Sequence, residues 1–281
     1  MRTIHFTKMH GCGNDFVIIG YDEYKKSRLF MGELARKLCD RHFGIGADGL
    51  IIPDETTNDT DIGWYFYNSD GSTAQMCGNG MRCFAKYLFD KKIIDKETFT
   101  VKTGAGVIEP QILPYGDVRV KMSIPTLEPA KIPFKGYQAL NQRLTIQNRE
   151  FIGNAVSMGN PHFIIFTDEN TMDLAKTYGP AIETHQLFPE KTNVEFVKIL
   201  SRNEIELSVW ERGCGITLAC GTGACASVVA GILNNLTEQE VTVNLPGGAV
   251  TIEWCGSEGN TQHPVYLSGP AQYSFEGDFI L

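Results

Sequence analysis

Two cysteines of this chain stand in the same unusual setting. Residues 76–80 read MCGNG and residues 219–223 read ACGTG, so Cys77 and Cys220 are each followed by a Gly-x-Gly triplet. The residues after each triplet are apolar at helical spacing, which predicts a helix that begins at the cysteine. A helix N-terminus presents unpaired amide groups and the positive end of the helix dipole, and glycine lets an anion approach them closely. Each motif therefore predicts a site for a carboxylate or a phosphate beside a thiol.

A thiol in this position can exchange a proton with a bound molecule. We expect the field of the helix to lower the pKa of the cysteine and to raise its thiolate fraction. Two such motifs that face each other would hold one small carboxylate and present a sulfur to each face of the adjacent carbon. One sulfur would then remove the α-proton while the other returns a proton from the opposite side. The pair predicts a racemase or an epimerase whose helix dipoles stabilise the charge that develops on the carboxylate.

Other roles for cysteine were weighed against this one. A single cysteine is usually a buried structural thiol, and this is the role we expect for Cys12, Cys39, Cys83, Cys214, Cys225 and Cys255. A zinc site is disfavoured because the cysteines lack the paired spacing of zinc ligands. We therefore predict no metal.

The cysteine motifs belong to a longer internal repeat. Cys77 and Cys220 lie 143 residues apart, about half of the 281-residue chain. Other landmarks recur in the same order at offsets of 140 to 146 residues: Gly13-Asn14 with Gly159-Asn160, Glu33-Leu34-Ala35 with Asp173-Leu174-Ala175, Thr100-Val101 with Thr242-Val243, and Ser123-Ile124-Pro125 with Ser268-Gly269-Pro270. We infer an α+β fold of two pseudo-symmetric duplicated domains, with the active site in the cleft between them.

Local patterns predict the elements of each half. Residues 28–41 put Phe30, Leu34 and Leu38 on one face of a helix. Strands are predicted at 100–103, 117–122, 205–210, 241–245 and 249–254, and a polar loop at 54–61. The G-x-G-x-x-G at 44–49 follows a helix and precedes a strand. That order is the reverse of a dinucleotide-binding motif, so we reject a nucleotide site there.

Composition limits the partners and the compartment. The net charge of −8 disfavours nucleic acid and anionic membranes as main partners. The N-terminal residues lack the apolar region of a signal peptide, and no apolar run approaches the length of a membrane helix. Eight cysteines without an export signal indicate free thiols in a reducing compartment. We predict a cytoplasmic protein.

Four segments together resemble the diaminopimelate epimerase family: MHGCGNDF, NSDGSTAQMCGNGMRCFAKY, SMGNPHF and WERGCGITLACGTGACAS. The resemblance implies that each domain is a mostly antiparallel, barrel-like sheet around a central helix, with domains at 1–120 plus 266–281 and at 121–265. It also implies an epimerase that interconverts LL- and meso-2,6-diaminopimelate in lysine and peptidoglycan synthesis. Such an enzyme uses no cofactor, binds a small-molecule substrate, and occurs as a homodimer in some relatives.

The resemblance further implies the site residues. Cys77 and Cys220 would form the acid/base pair, and the amides of Gly78, Asn79, Gly221 and Thr222 would hold the reacting carboxylate. Arg212 would bind the distal carboxylate and Glu211 an ammonium, with Asn14, Asn68, Asn160 and Asn193 completing the set. Asn68 and Glu211 each lie nine residues before their cysteine, so they are duplicate positions. His162 is left outside the catalytic set. Gly49 stands where some relatives have a glutamine in the pocket.

Three alternatives remain open from the sequence. A related racemase acting on proline, hydroxyproline or a range of amino acids would share both cysteine motifs. An isomerase of the phenazine-biosynthesis type would share the fold but not the cysteine pair. A non-catalytic amino-acid-binding protein would need the amide groups but not two thiols.

Overall fold

A computed structural model describes residues 2–281 of the chain. The chain folds into two compact units: unit 1 comprises the residues up to Val120 together with Ser268–Leu281, and unit 2 is Lys121–Leu267. Within the described residues, no helix is long and apolar enough to span a membrane.

The elements are numbered in chain order. The strands are β1 (Thr3–Gly11), β2 (Asn14–Ile18), β3 (Gly49–Asp54), β4 (Ile62–Asn68), β5 (Val101–Thr103), β6 (Gly106–Ile108), β7 (Pro110–Ile112), β8 (Val118–Lys121), β9 (Gln142–Ile146), β10 (Arg149–Ser157), β11 (Pro161–Phe166), β12 (Asn193–Ser201), β13 (Glu204–Glu211), β14 (Gly215–Ile216), β15 (Glu240–Leu245), β16 (Gly248–Glu253), β17 (Tyr266–Gly269) and β18 (Gln272–Ile280). The helices are α1 (Tyr21–Ser27), α2 (Met31–Cys39), α3 (Gly78–Asp90), α4 (Thr171–Glu183) and α5 (Gly221–Leu233), with one 3-10 turn at Pro114–Gly116.

The two units contain sheets of the same topology. The strand order is β18-β1-β2-β3-β4-β5-β6 in unit 1 and β9-β10-β11-β12-β13-β15-β16 in unit 2. In unit 1, β2 pairs parallel with β3 and β4 with β5, and the other neighbours are antiparallel. Unit 2 repeats this pattern, with parallel pairs β11–β12 and β13–β15. The duplication predicted from the sequence is therefore confirmed, and antiparallel pairs predominate in both sheets.

Each sheet packs against the helix that begins at the cysteine motif. In unit 1, α3 contacts β1, β2 and β7, and it buries Met81, Phe84 and Leu88. In unit 2, α5 contacts β10, β11, β12 and β16, and residues 223–231 are all buried. The apolar character of that segment on every side predicted this central position.

The helix predicted at 28–41 differs in detail from the structure. It begins at Met31, and Phe30 lies at the N-cap with an extended backbone (φ −69°, ψ 147°). The side chain of Phe30 therefore leaves the apolar face and is 85 % exposed. Leu34 and Leu38 are buried as predicted. The five predicted strands all occur, as β5, β8, β13, β15 and β16.

Close approach of the backbone to an aromatic ring makes Gly153 sensitive to substitution. A Cβ atom at this position would lie 2.3 Å from ring atoms of Phe163, which is in the core of unit 2. We predict that Gly153→Ala lowers the free energy of unfolding by about 1–3 kcal/mol, because the ring must move within a packed core. Urea unfolding would measure the change. Gly20→Ala is the matched control, since no atom lies within 4 Å of its added methyl group; equal unfolding midpoints for the two variants would contradict the prediction.

Candidate active site

Cys77 and Cys220 occupy the same structural position in the two units. Cys77 is the N-cap residue of α3 and Cys220 that of α5, both with extended backbones (φ −146° and −121°). Neither helix has an acidic residue in its first turn. The amides of each first turn and the positive end of each dipole are thus available to an anion. These amides belong to Gly78 and Asn79 in unit 1 and to Gly221 and Thr222 in unit 2.

The polar residues predicted for the site lie at one end of each sheet. In the parallel ladders, Phe16 pairs with Gly49 and His162 pairs with Asn193. These pairs bring the first residues of neighbouring strands to one edge, beside the start of the helix. The predicted residues there are Asn14, which begins β2, Asn160, which precedes β11, Asn193, which begins β12, and Asn68 and Glu211, which end β4 and β13.

In unit 1, amide side chains connect Cys77 to a buried arginine. Asn14 Oδ1 accepts hydrogen bonds from Cys77 Sγ at 3.6 Å and from Asn79 Nδ2 at 3.1 Å. Asn79 Oδ1 in turn accepts from Arg82 Nη1 at 2.9 Å. The orientation of both amides is therefore fixed by Arg82, which has only donors.

Arg82 is fully buried and forms no ion pair with a carboxylate in residues 2–281. Its Nε donates to the carbonyl oxygen of Pro270 at 3.2 Å, and Nη2 lies 3.8 Å from Cys12 Sγ. A Cβ atom at Gly11 would lie 2.9 Å from Nη2, so glycine leaves the space for the guanidinium. A buried positive charge without a carboxylate partner is costly, and this one lies near the N-terminus of α3.

A carboxylate network supports the other side of Asn14. Asn14 Nδ2 donates to Asp48 Oδ2 at 2.6 Å, and Arg41 pairs with both Asp48 and Asp15 at 2.8 Å. Burial opposes ionisation of Asp15, but hydrogen bonds from Arg41 and Lys8 outweigh it and lower its pKa to about 2. This network holds Asn14 in place from the side opposite Cys77.

Asn68 does not join the hydrogen-bonded group around Cys77. Its side chain is exposed and donates to Ser72 Oγ at 3.0 Å within the turn that follows β4. A cavity of about 570 Å³ lies beside this turn and is lined by Asp48 and Ser69 together with Arg36 and Arg41. Gly49 cannot take a side chain without rearrangement, since a Cβ atom would lie 2.7 Å from the ring of Phe66.

In unit 2, an equivalent chain of hydrogen bonds runs from Cys220 to a buried glutamate. Cys220 Sγ lies 3.6 Å from Thr222 Oγ1, which accepts from Asn160 Nδ2 at 3.3 Å. Asn160 Oδ1 is 3.1 Å from His162 Nε2, and His162 Nδ1 is 2.7 Å from Glu195 Oε1. His162 and Glu195 are both fully buried. Two of these residues, His162 and Glu195, were not predicted as site residues.

Burial and two nearby carboxylates affect the pKa of the thiol in unit 2. Burial raises the pKa of Cys220 well above its usual value, and the charges of Glu211 and Glu195 raise it further, against hydrogen bonds from Thr222 and the amide of Gly223. Burial likewise raises the pKa of Glu211, although its hydrogen bond from Thr217 opposes this. The pKa of Cys220 is therefore raised, not lowered as the position at a helix terminus predicts, because burial and two negative charges oppose ionisation.

Asn193 and Arg212 meet at the edge of the same sheet. Asn193 Oδ1 accepts from the backbone amide of Arg212 at 2.9 Å, and Asn193 Nδ2 donates to the carbonyl oxygen of Pro161 at 2.8 Å. The Arg212 side chain is exposed and donates once, to the carbonyl oxygen of Glu190 at 3.1 Å. Asn193 thus holds the backbone amide of Arg212 in place. The other guanidinium N–H groups of Arg212 are open to solvent.

The structure thus brings the predicted residues together in two groups, one in each unit. Cys77, Asn14 and Asn79 are hydrogen bonded in unit 1, and Cys220, Thr222 and Asn160 in unit 2. Residues 2–281 contain no group of three or more His, Cys, Asp or Glu side chains arranged to hold a metal ion.

Comparison with known proteins agrees with the motifs at these positions. The family model for diaminopimelate epimerase matches residues 6–128 and 154–274, one match for each copy of the repeat. Diaminopimelate epimerase from Halothermothrix orenii is 46 % identical over 99 % of this chain and 98 % of its own length. That from Desulfitobacterium hafniense is 48 % identical over 98 % of this chain and 97 % of its own length.

Solved structures share the fold at much lower identity. A phenazine biosynthesis protein of the PhzF family from Bacillus anthracis superposes with a TM-score of 0.72 at 14 % identity, covering 100 % of both chains. A hydroxyproline epimerase from Agrobacterium vitis superposes with a TM-score of 0.68 at 12 % identity over 99 % of this chain and 93 % of its own. These two similarities establish the duplicated fold alone. The family match and the full-length relatives together show that the chain belongs to the diaminopimelate epimerase family.

Proposed function

We propose that this chain is a diaminopimelate epimerase, which interconverts LL- and meso-2,6-diaminopimelate in the synthesis of lysine and peptidoglycan precursors. Full-length relatives of that name at 46–48 % identity support the assignment. The structural observation that carries it is the pair of N-cap cysteines, Cys77 on α3 and Cys220 on α5, at equivalent positions of two duplicated units.

The reaction requires a base and an acid on opposite faces of one carbon. Cys77 and Cys220 take these roles, and they exchange them between the two directions of the reaction. Burial and the carboxylates of Glu211 and Glu195 favour the thiol form of Cys220, which suits the proton donor at the start of a turnover. The two sulfurs titrate as one coupled system once both contact the same substrate.

The substrate carboxylate next to the reacting carbon takes on negative charge as the proton leaves. The amides of Gly78, Asn79, Gly221 and Thr222 stabilise this charge at the two helix N-termini. Asn14 and Asn160 help by holding the first-turn side chains Asn79 and Thr222 in place.

The distal end of the substrate carries a carboxylate and an ammonium. Arg212 suits that carboxylate because its planar guanidinium presents parallel donors to both oxygens. Glu211 suits an ammonium: burial without a cation raises its pKa, and a bound ammonium would favour the carboxylate form. Asn68 and Asn193 complete the polar contacts at the strand ends.

We propose a cytoplasmic location, because the two thiols of the proposed reaction must stay reduced and disulfides are rare in that compartment.

The acid/base assignment predicts the effect of removing either sulfur. With LL-diaminopimelate in heavy water, we expect deuteration at the α-carbon together with appearance of the meso form. Cys77→Ala and Cys220→Ala should each reduce turnover by at least about 100-fold, since each removes one partner of the proton transfer. Cys214→Ala is the matched control, because that thiol is exposed and lies outside both groups. Exchange with proline but not with diaminopimelate would instead indicate a proline-type racemase, and no exchange with any amino acid would indicate a binding protein.

The pKa of Glu211 predicts a pH-dependent gain in stability on its replacement. Because the pKa is raised by folding, the folded state binds this proton more tightly than the unfolded state does. Below its unfolded-state pKa, the carboxyl group therefore does not change the free energy of unfolding. It lowers this free energy as the pH rises from the unfolded-state pKa through the folded-state pKa. Glu211→Gln keeps the acceptor for Thr217 but cannot ionise. We expect thermal unfolding to show a higher midpoint than wild type at pH 8 and an equal midpoint at pH 4, with catalytic efficiency for diaminopimelate reduced. A difference that does not depend on pH would refute this account.

We also propose a homodimer that forms along β18. This strand is the first in the sheet order of unit 1 and pairs with β1 on one side. Tyr273, Phe275 and Ile280 are exposed along it. An exposed, apolar edge strand is a template for pairing with a second copy of the chain.

The dimer proposal predicts the effect of a charge on this strand. Light scattering should give twice the 31.2 kDa chain mass for the wild type and the monomer mass for Phe275→Lys, because a buried lysine would oppose strand pairing. Tyr137→Lys places the same charge at a fully exposed position of unit 2 and should leave the mass unchanged. A wild-type monomer would exclude the dimer.

A further inference from the structure

Glu195 is unusual because it is a charged residue that is fully buried. It lies inside β12 between Val194 and Phe196, and all three side chains are fully buried. Oε1 is 2.7 Å from His162 Nδ1, whereas Oε2 has no hydrogen-bond partner in the part of the chain that the structure describes. Burying a carboxylate with an unsatisfied oxygen lowers stability. A function that uses the charge would explain its presence.

The hydrogen bonds of His162 link this charge to the site. Asn160 Nδ2 donates to Thr222 Oγ1, which leaves Asn160 Oδ1 as the acceptor that faces His162 Nε2. Glu195 Oε1 is the acceptor that faces Nδ1. Glu195 therefore fixes the imidazole ring of His162, and through it the side-chain amide of Asn160.

The equivalent positions of unit 1 show that packing alone does not require this pair. By strand register, Phe16 corresponds to His162 and Ile51 to Glu195. A Cβ atom on Gly80 would touch the side chains of Phe16 and Ile51 at 3.4 Å. An apolar pair thus fills the same space beside α3.

Glu195 also lies near the sulfur of Cys220. A Cβ atom on Gly223, which corresponds to Gly80, would lie 2.8 Å from Glu195 Oε1 and 3.2 Å from Cys220 Sγ. The carboxylate and the sulfur therefore line the same small space above this glycine. Glu211 on β13 is the other carboxylate that acts on Cys220, and His162 on β11 faces Glu195 from the neighbouring strand.

We propose that Glu195 is a positioning residue for the epimerase reaction: it orients Thr222 at Cys220 through His162 and Asn160, and its negative charge holds Cys220 as the protonated partner of the two sulfurs. This inference rests on the proposed function. Unit 1 has the opposite arrangement, in which the amide chain from Cys77 ends on the buried cation Arg82.

Glu195→Gln removes the negative charge but keeps the shape of the side chain, and the amide oxygen of glutamine can still accept a hydrogen bond from His162 Nδ1. In a Cys214→Ser, Cys255→Ser background, alkylation by iodoacetamide would be followed at each cysteine by peptide mass spectrometry at pH 8. We expect the rate at Cys220 to rise about tenfold, as the thiolate fraction increases when a neighbouring negative charge is removed, and the rate at Cys77 to stay constant. The catalytic efficiency should fall about 10- to 100-fold. In the plot of catalytic efficiency against pH, the limb that reports the titration of Cys220 should move to lower pH. Glu150→Gln, an exposed carboxylate of the same unit, should change neither quantity.

A second variant tests whether the pair serves packing alone. His162→Phe combined with Glu195→Ile copies the apolar pair of unit 1. We expect a folded protein whose catalytic efficiency is reduced at least about 100-fold. Wild-type activity in this variant, or unchanged Cys220 alkylation and pH profile in Glu195→Gln, would overturn the proposal. If the wild type failed to epimerise diaminopimelate, the proposed function would fall, whereas the alkylation rates would still decide whether Glu195 controls Cys220.

Discussion

Parallel pairing of β2 with β3, and of β11 with β12, is the constraint on which both groups of functional residues depend. Each parallel pair brings the starts of two strands to the same edge of the sheet. The antiparallel neighbour ends there, so Asn68 and Glu211 arrive at that edge from the opposite direction. The helix that starts at the cysteine then packs against the same sheet, and its first turn lies among these residues. A shift of one residue in the register would turn these side chains to the other face.

The duplicated architecture was predictable because its signals are local and repeated. The Gly-x-Gly triplets after Cys77 and Cys220 mark both helix starts, and helical spacing predicts the buried faces that follow. The equal distance from Asn68 and Glu211 to their cysteines identified equivalent positions before any strand register was known. Phe30 shows the limit of this reasoning: its spacing fits the apolar face of a helix, but the helix begins one residue later.

The electrostatic setting of the sulfurs was not predictable from the same signals. The helix dipole is a property of local sequence, but the pKa of Cys220 depends first on burial and then on carboxylates from two other strands. Glu195 left one trace, a charged residue within the apolar run Val194 to Val197 of a buried strand. Arg82 left a similar trace between Met81 and Cys83. A charge in the middle of a buried segment is a signal for a functional role that periodicity alone does not register.

The opposite charges beneath the two helices have a consequence for how the duplicated halves diverged. Two identical copies of residues 121–267 would put a carboxylate beside each sulfur, and both thiols would resist ionisation. Two copies of the first half would put a buried guanidinium near each helix start, with isoleucine rather than glutamate at the position of Glu195. The proposed mechanism needs one protonated and one ionised sulfur, so it would favour halves that keep a shared backbone while the buried residues near each sulfur, Arg82 and Glu195, come to differ in charge.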